Sequence, residues 1–199
     1  MPRLGAELAA ELYRALAEVE IRNTAPRLGD YERFFYFAPA DALEQMQAWL
    51  PDAEWRPQQG RDLGERMARA FDEAFQRGAR RAALIGSDAP GVSRALVLEA
   101  LGALDGHDVA IVPARDGGYC LLALDSPRPE LFAAMAWSTP SVLPQTLERA
   151  AALGLSVRLL ESQPDVDTFE DVADLWPRLR PLLASRPGLV AQIKAALAT

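Results

Sequence analysis

The sequence predicts an α/β domain, a mostly parallel sheet with helices on both faces, and three observations predict it. Segments of helical period alternate with short apolar runs along the whole chain. Those runs are too short and too uniformly apolar for strands with one wet face, so they read as strands covered on both sides. The third observation is the stretch Ala82-Ala-Leu-Ile-Gly-Ser-Asp-Ala-Pro90. An apolar strand, Ala82–Ile85, breaks at Gly86 and delivers Asp88 just past the break. Pro90 and Gly91 forbid further strand. Ser93 is then a plausible N-cap for an apolar-striped helix, Arg94–Leu104. A strand, an acid at its C-terminal tip and then a helix is how an open α/β sheet builds a ligand site. Capping of the turn by Asp88 is the equal alternative.

The remaining elements follow in order. Pro2 to Gly5 reads as a turn. Glu7–Glu20 is an amphipathic helix, with Leu8, Leu12, Ala15, Leu16 and Val19 on one stripe. Aromatic Arg33–Ala38 suits a strand closed by Pro39, and a helix covers about Ala40–Leu50. Trp55–Asp62 reads as loop. Leu63–Arg77 is a strong helix, with Met67, Phe71 and Phe75 on one face and Gly78 as terminator. His107–Pro113 is a strand. Ala114–Leu124 holds Asp116-Gly-Gly before a further strand; a hairpin turn is the commoner use of such a triplet, and its glycines would also let a ligand approach the backbone. A short helix at Pro129–Met135, a helix at Ser141–Leu153 ended by Gly154, and a strand at Leu155–Leu160 come next. Thr168 with Asp171 forms a capping-box-like pattern for a helix at Phe169–Leu175. A last helix, Gly188–Leu197, is set off by Pro177, Pro181 and Pro187, which makes 169–199 a helical end to one domain spanning 1–199.

Bulk properties narrow the function. One domain is the natural reading of 199 residues, and 50% hydrophobic residues supply a core. No apolar run spans a bilayer and no signal-peptide pattern opens the chain, so the expectation is a cytoplasmic protein. A single cysteine, Cys120, excludes an internal disulfide framework. The net charge of −7 argues against sequence-independent nucleic-acid binding. It leaves room for anionic small molecules held through a divalent metal on carboxylates.

Four acids fall at strand ends or helix entrances: Asp88, Asp116, Asp165 and Asp167. Each alone could be a cap or turn residue, but four at such edges exceed what a solvated surface explains. One or two carboxylates with a nucleoside diphosphate is the usual way to hold Mg²⁺ or Mn²⁺. Other chemistries fall away. His107 precedes a strand and reads as structural, and Cys120 sits inside an apolar strand and reads as core. Zinc spacing, a Gly-x-Ser-x-Gly elbow, a Walker loop and Gly-x-Gly-x-x-Gly are all absent from the sequence.

An ordered set of motifs adds to this reading. It comprises Pro2-Arg-Leu-Gly5 with Leu12-Tyr-Arg-Ala15, Gln59-Gly-Arg-Asp-Leu-Gly-Glu-Arg-Met67, Leu84-Ile-Gly-Ser-Asp-Ala-Pro90, Asp116-Gly-Gly-Tyr119, Trp137-Ser-Thr-Pro140 and Asp165-Val-Asp-Thr-Phe-Glu-Asp171. In these the chain resembles small bacterial glycosyltransferases of the GT-A superfamily. It is most similar to the subgroup known as a domain of unknown function, which includes radical-SAM-associated glycosyltransferases. The resemblance implies a Rossmann-like sheet that binds a nucleoside diphosphate sugar with Mg²⁺ or Mn²⁺ and passes the sugar to an acceptor. It implies that Asp88 and Asp167 hold the metal and that Asp116 faces the sugar or acceptor, where as the catalytic residue it would take the acceptor proton if the enzyme inverts. Gln59, Gly60 and Asp62 would line the nucleotide end. Ser87, Gly117, Gly118, Tyr119, Trp137, Ser138 and Thr139 would complete the substrate site.

The chain departs from that family at its start. Members open with a first strand and a basic loop carrying Lys-Thr-Arg, and here Met1 falls just after that unit, with Arg3 the only nearby substitute. Ala89 also stands where cysteine is usual. A displaced start and a natural short form are the two explanations. Either leaves the strand Ala82–Ile85 with an open edge that invites pairing, so a homo-oligomer is a further expectation. Two other functions remain beside glycosyl transfer. One is a nucleotidyltransferase of the same superfamily, whose members share the closing Asp-x-Asp-Thr-x-Glu-Asp pattern. The other is a non-catalytic binding or scaffold protein that keeps the fold.

Overall fold

The computed structural model of the chain describes residues 1–198; the end of the expected 169–199 helical region, residue 199, lies outside them. The helices are α1 (Ala6–Asn23), α2 (Leu43–Trp49), α3 (Leu63–Gln76), α4 (Arg94–Ala103), α5 (Val142–Ala152), α6 (Phe169–Leu182) and α7 (Pro187–Leu197). The strands are β1 (Phe35–Phe37), β2 (Trp55–Pro57), β3 (Ala82–Ile85), β4 (Val109–Pro113), β5 (Tyr119–Leu124) and β6 (Val157–Leu159). Short 3-10 turns occupy Pro2–Leu4, Ala40–Ala42 and Pro129–Phe132.

The main sheet has the order β3-β5-β4-β6. β4 and β6 pair in parallel, with Val109 opposite Val157 and Ile111 opposite Leu159. β5 lies antiparallel between β3 and β4, with Leu122 opposite both Leu84 and Ile111. β3, β4 and β6 therefore run the same way and β5 runs against them. Helices cover both faces, as the alternation predicts. Leu96, Val97 and Ala100 of α4 meet Ala110, Val112, Leu121 and Ala123 on one face. Met67 and Phe71 of α3, with Leu131, Phe132 and Ala150, meet Val109, Ile111, Leu122 and Leu124 on the other. β4 and β5 are buried on both faces, which is why their sequences do not alternate.

A second core joins α1 to α6 and α7: Leu12, Leu16 and Val19 pack with Phe169, Val172, Leu175, Leu179, Leu189 and Ile193. The stripe read in α1 is thus a packing face.

Two expectations need correction. Trp55–Pro57 is strand rather than loop and pairs in parallel with β1 to form a separate two-stranded sheet. Its centre, Arg56, is a buried cation held by Glu54 and Glu73, so it lacks the apolar signature of a strand. The helix at Phe169 also continues through Pro177 and Pro181 to Leu182. Both prolines are exposed, so water can satisfy the carbonyls they strand, while Leu175 and Leu179 keep the helix docked.

Within the described strands β3 pairs with β5 alone, and its four apolar residues are all only half-buried. No described helix is long and apolar enough to cross a membrane.

Candidate functional site

Three loops leave one edge of the main sheet, and each carries acid. After β3, the Gly86 amide donates to the Cys120 carbonyl at 3.1 Å, and the chain then turns. The Asp88 carboxylate folds back over Gly86 so closely that a Cβ there would sit 2.8 Å from Asp88 Oδ1. A side chain at position 86 would push the acid away, which explains the glycine at the end of the strand.

After β4 the chain makes a tight hairpin into β5. The Ala114 amide donates to the Gly118 carbonyl at 3.1 Å, and the Gly118 amide donates to Asp116 Oδ1 at 2.8 Å. Gly117 has φ of 94°, and a Cβ on it would lie 2.4 Å from the Pro140 carbonyl oxygen. The Asp-Gly-Gly triplet is therefore a hairpin turn, one that presents Asp116 with its second oxygen uncommitted.

Beyond β6 the Gln163 amide donates to the Pro113 carbonyl at 3.0 Å, which carries Asp165 to the same edge. The Val166 amide donates to the Asp88 carbonyl at 3.1 Å and ties this loop to the first one. Thr168 and Asp171 then close a reciprocal capping box at the start of α6.

Together the loops place carboxylate oxygens of Asp116, Asp165 and Asp167 within 4.8 Å of one another. Asp88 stands outside this trio but within its field. Burial raises the Asp88 pKa, and the charges of Asp165 and Asp116 add to it. Asp165 is raised by burial, then by Asp116, Asp167 and Asp171. Asp167 is raised by burial, then by Asp88, Asp116 and Asp171. Hard oxygen donors gathered this closely, with each charge disfavouring the others, fit Mg²⁺ or Mn²⁺, which neutralise such a set.

The other residues expected at the site fall in several places. Gly60 lines a shallow groove with Arg61, Glu65, Ala68 and Arg69, and no acid of the trio lines it. Gln59 is exposed beside that groove in sequence. Asp62 is the N-cap of α3 and accepts from the Glu65 amide at 2.8 Å. Ser87 is exposed next to Asp88. Gly117 and Gly118 belong to the hairpin described above. Tyr119 and Trp137 pack in the apolar cluster against α3, where Trp137 Nε1 would be 2.7 Å from a Cβ on Gly64. The Tyr119 hydroxyl is buried with no well-formed hydrogen bond, and burial pushes its pKa up. Ser138 adopts φ of 59°, and Thr139 bonds locally to Ala136 and Ser141. His107 Nδ1 lies 3.1 Å from the Ala103 carbonyl and Cys120 is buried, consistent with structural roles for both.

Sequence reasoning missed Glu20. It is 7% exposed, and its Oε2 has no hydrogen-bond partner among the described residues. Burial raises its pKa to about 8, with the Asp88 charge contributing, against the nearby Ala89 amide. Its position four residues after Leu16, on the edge of the apolar stripe of α1, was the available signal.

Comparisons with known proteins agree with this architecture. The crystal structure of a candidate nucleotide-diphospho-sugar transferase from Desulfovibrio desulfuricans matches with a TM-score of 0.80 and 34% identity, covering 94% of this chain and 87% of that one. CMP:2-keto-3-deoxy-manno-octonic acid synthetase complexed with CTP matches at 14% identity and a TM-score of 0.57, covering 85% and 88% of the two chains. 4-Diphosphocytidyl-2C-methyl-D-erythritol synthase matches at 12% and 0.55, covering 86% and 88%. The last two share the fold alone. A search of curated proteins finds no match. A family model described as an uncharacterized protein conserved in bacteria, DUF2064, matches residues 21–139. With the GT-A type fold and more than half its length covered, the chain belongs to the DUF2064 family.

Proposed function

We propose that the chain is a metal-dependent glycosyltransferase that uses a nucleoside diphosphate sugar. The observation that carries this reading is the convergence of Asp116, Asp165 and Asp167 within 4.8 Å at one edge of the sheet, with Asp88 coupled to them. The similarity to the Desulfovibrio structure supports the substrate class.

In this reading Asp165 and Asp167 hold Mg²⁺ or Mn²⁺, with Asp88 as the neighbouring acid behind them. A bound divalent cation would neutralise the diphosphate that leaves as the sugar carbon becomes oxocarbenium-like. Asp116 is exposed and sits on a hairpin that fixes one of its oxygens. Its other oxygen takes the acceptor proton if the reaction inverts the anomeric centre. The Gly60–Arg69 groove lies in the segment assigned to the nucleotide and supplies arginines beside it.

The test incubates the chain with Mn²⁺ and uridine or guanosine diphosphate sugars, and follows release of nucleoside diphosphate. Asp116→Asn should abolish turnover and weaken Mn²⁺ binding less than Asp165→Asn or Asp167→Asn does. Release of pyrophosphate from a nucleoside triphosphate, with no diphosphate released from any sugar nucleotide, would replace this reading by nucleotidyl transfer. A chain that binds sugar nucleotide and turns over neither substrate class would be a binding protein.

A further inference from the structure

We propose that helix α1 is the positioning element of the acidic site: through Glu20, Asn23 and Tyr13 it holds the Asp88 loop and the Asp167 loop in register with each other. The inference rests on the metal reading above and adds residues that no motif of the chain marks.

The argument starts from helix geometry. Tyr13, Glu20 and Asn23 are spaced seven and three residues apart, so they form one seam along α1 at the border of its apolar stripe. Each end of that seam grips an acid-bearing loop by its backbone. At the C-terminal end, Asn23 Nδ2 donates to the Pro90 carbonyl at 3.2 Å, and the buried Glu20 carboxyl group lies against the Ala89 amide. The bond and the contact beside it hold the residues directly after Asp88. At the N-terminal end, the Tyr13 hydroxyl donates to the Asp167 carbonyl at 3.3 Å. The Val166 amide, donating to the Asp88 carbonyl, closes the circuit between the two loops.

Glu20 is the member that packing alone does not explain. An apolar residue at this point would continue the stripe of Leu12, Leu16 and Val19. Instead the chain buries a carboxyl group against the Ala89 amide, with Oε2 making no hydrogen bond to a described residue and the Asp88 charge acting on it. Burying such a group without full compensation is costly, and it is kept where it holds other polar groups in place. Both side chains that meet Ala89 and Pro90 here, Glu20 and Asn23, come from α1. Partners that orient a ligand in this way set metal affinity without touching the metal.

The test is Mn²⁺ titration of the full chain, read by the electron paramagnetic resonance of free Mn²⁺, for wild type and for Glu20→Ala, Glu20→Gln, Asn23→Ala and Tyr13→Phe. Thermal unfolding of each variant is recorded in parallel. Glu20→Ala should weaken Mn²⁺ binding by about 10-fold or more, the usual consequence of losing an orienting partner. Asn23→Ala and Tyr13→Phe should weaken it several-fold. Glu20→Gln should stay within about 2-fold of wild type, because it keeps the shape of the side chain and an oxygen that can face the Ala89 amide. A purely structural role would lower the melting temperature of Glu20→Ala and leave the Mn²⁺ affinity of the folded protein unchanged; that result overturns the inference. If Glu20→Ala does not fold, Asn23→Ala and Tyr13→Phe decide, and wild-type affinity in both overturns it. A wild-type chain that takes up no Mn²⁺ overturns the metal reading and this inference together. Mn²⁺ bound equally by wild type and variants overturns the inference alone.

Discussion

Replacing Glu20 by glutamine should flatten the pH dependence of stability. Glu20 has an ordinary value of 4.5 and a folded value raised to about 8, first by burial and then by the Asp88 charge. For an acid raised in the fold, the native state binds more protons than the unfolded state between those two values, so stability falls as pH rises through the window. Below about pH 4.5 the group is protonated in both states and contributes nothing. Above about pH 8 the loss is complete, on the order of 5 kcal/mol. Between pH 5 and pH 7 the share from Glu20 is roughly 2 to 3 kcal/mol. Glutamine cannot ionise, so the gap between variant and wild type should widen by that amount over those two pH units. For a chain of this size it corresponds to roughly 5 to 10 °C in melting temperature. The offset at pH 5 is set by the buried amide and does not matter; the slope does. Denaturant unfolding at half-unit pH steps, with and without the substitution, measures it. Parallel profiles from pH 5 to pH 8 would show that Glu20 is not held protonated in the fold.

The other expectations are shorter. Saturating uridine or guanosine diphosphate should raise the melting temperature more with Mn²⁺ than without, by linkage of about 2.7 kcal/mol at a hundredfold excess over Kd, and a shift indifferent to metal counts against every enzymatic reading. Asp88→Ala should weaken that metal dependence without lowering the stability of the metal-free chain at pH 7, since burial and the neighbouring acids already disfavour its charge, and an unfolded mutant would make Asp88 a structural cap. Gly117→Ala should cost about 1 to 3 kcal/mol and disturb the placement of Asp116, because φ of 94° and the Pro140 backbone both reject a Cβ, and a mutant as stable as wild type in denaturant would refute the hairpin geometry. The unpaired edge of β3 should promote association, visible as a sedimentation coefficient that rises with concentration; one species across the micromolar range argues against it.

What could be read from the sequence follows from how local each signal is. The helix starts at Ser93 and Thr168 are set by a side chain and an amide three residues on, and both caps form as read. Strands β4 and β5 were legible because burial on both faces writes itself as a continuous apolar run, and β3 because it too is apolar throughout although only half-buried. β2 was not, because its centre is an arginine whose burial depends on Glu73, seventeen residues away on α3. The run of α6 through two prolines was hidden for a related reason. Propensity forbids it, and only the docking of Leu175 and Leu179 on α1 and α7 reverses the balance. At the site, Asp88, Asp116, Asp165 and Asp167 stood out as acids at element edges. Which of them meet is a tertiary fact: Asp165 joins Asp116 and Asp167 within 4.8 Å while Asp88 stays apart. Glu20 escaped because one acid in a helix rich in acids looks solvated until the loop that covers it is known.

The electrostatics of the site carry a last consequence. Asp88, Asp165 and Asp167 are all raised, each by burial first and by neighbouring acids after that, and Glu20 lies behind them with the same sign. The site therefore weighs against the folded state at neutral pH, and no described cationic side chain is among the causes acting on these groups. Selection for stability alone would replace one of these acids, as buried ionic groups without partners are readily replaced by neutral ones. A bound divalent cation reverses the sign of the term: it lowers every carboxyl pKa it touches and turns mutual repulsion into a shared attraction. If that is the purpose of the cluster, Asp165→Asn should make the metal-free protein more stable at pH 7 and bind Mn²⁺ more weakly. The two effects must appear together, in denaturant unfolding and in metal titration of the same preparation. A variant that is less stable and binds Mn²⁺ normally would mean that the acids are held together by the fold for some reason other than a cation.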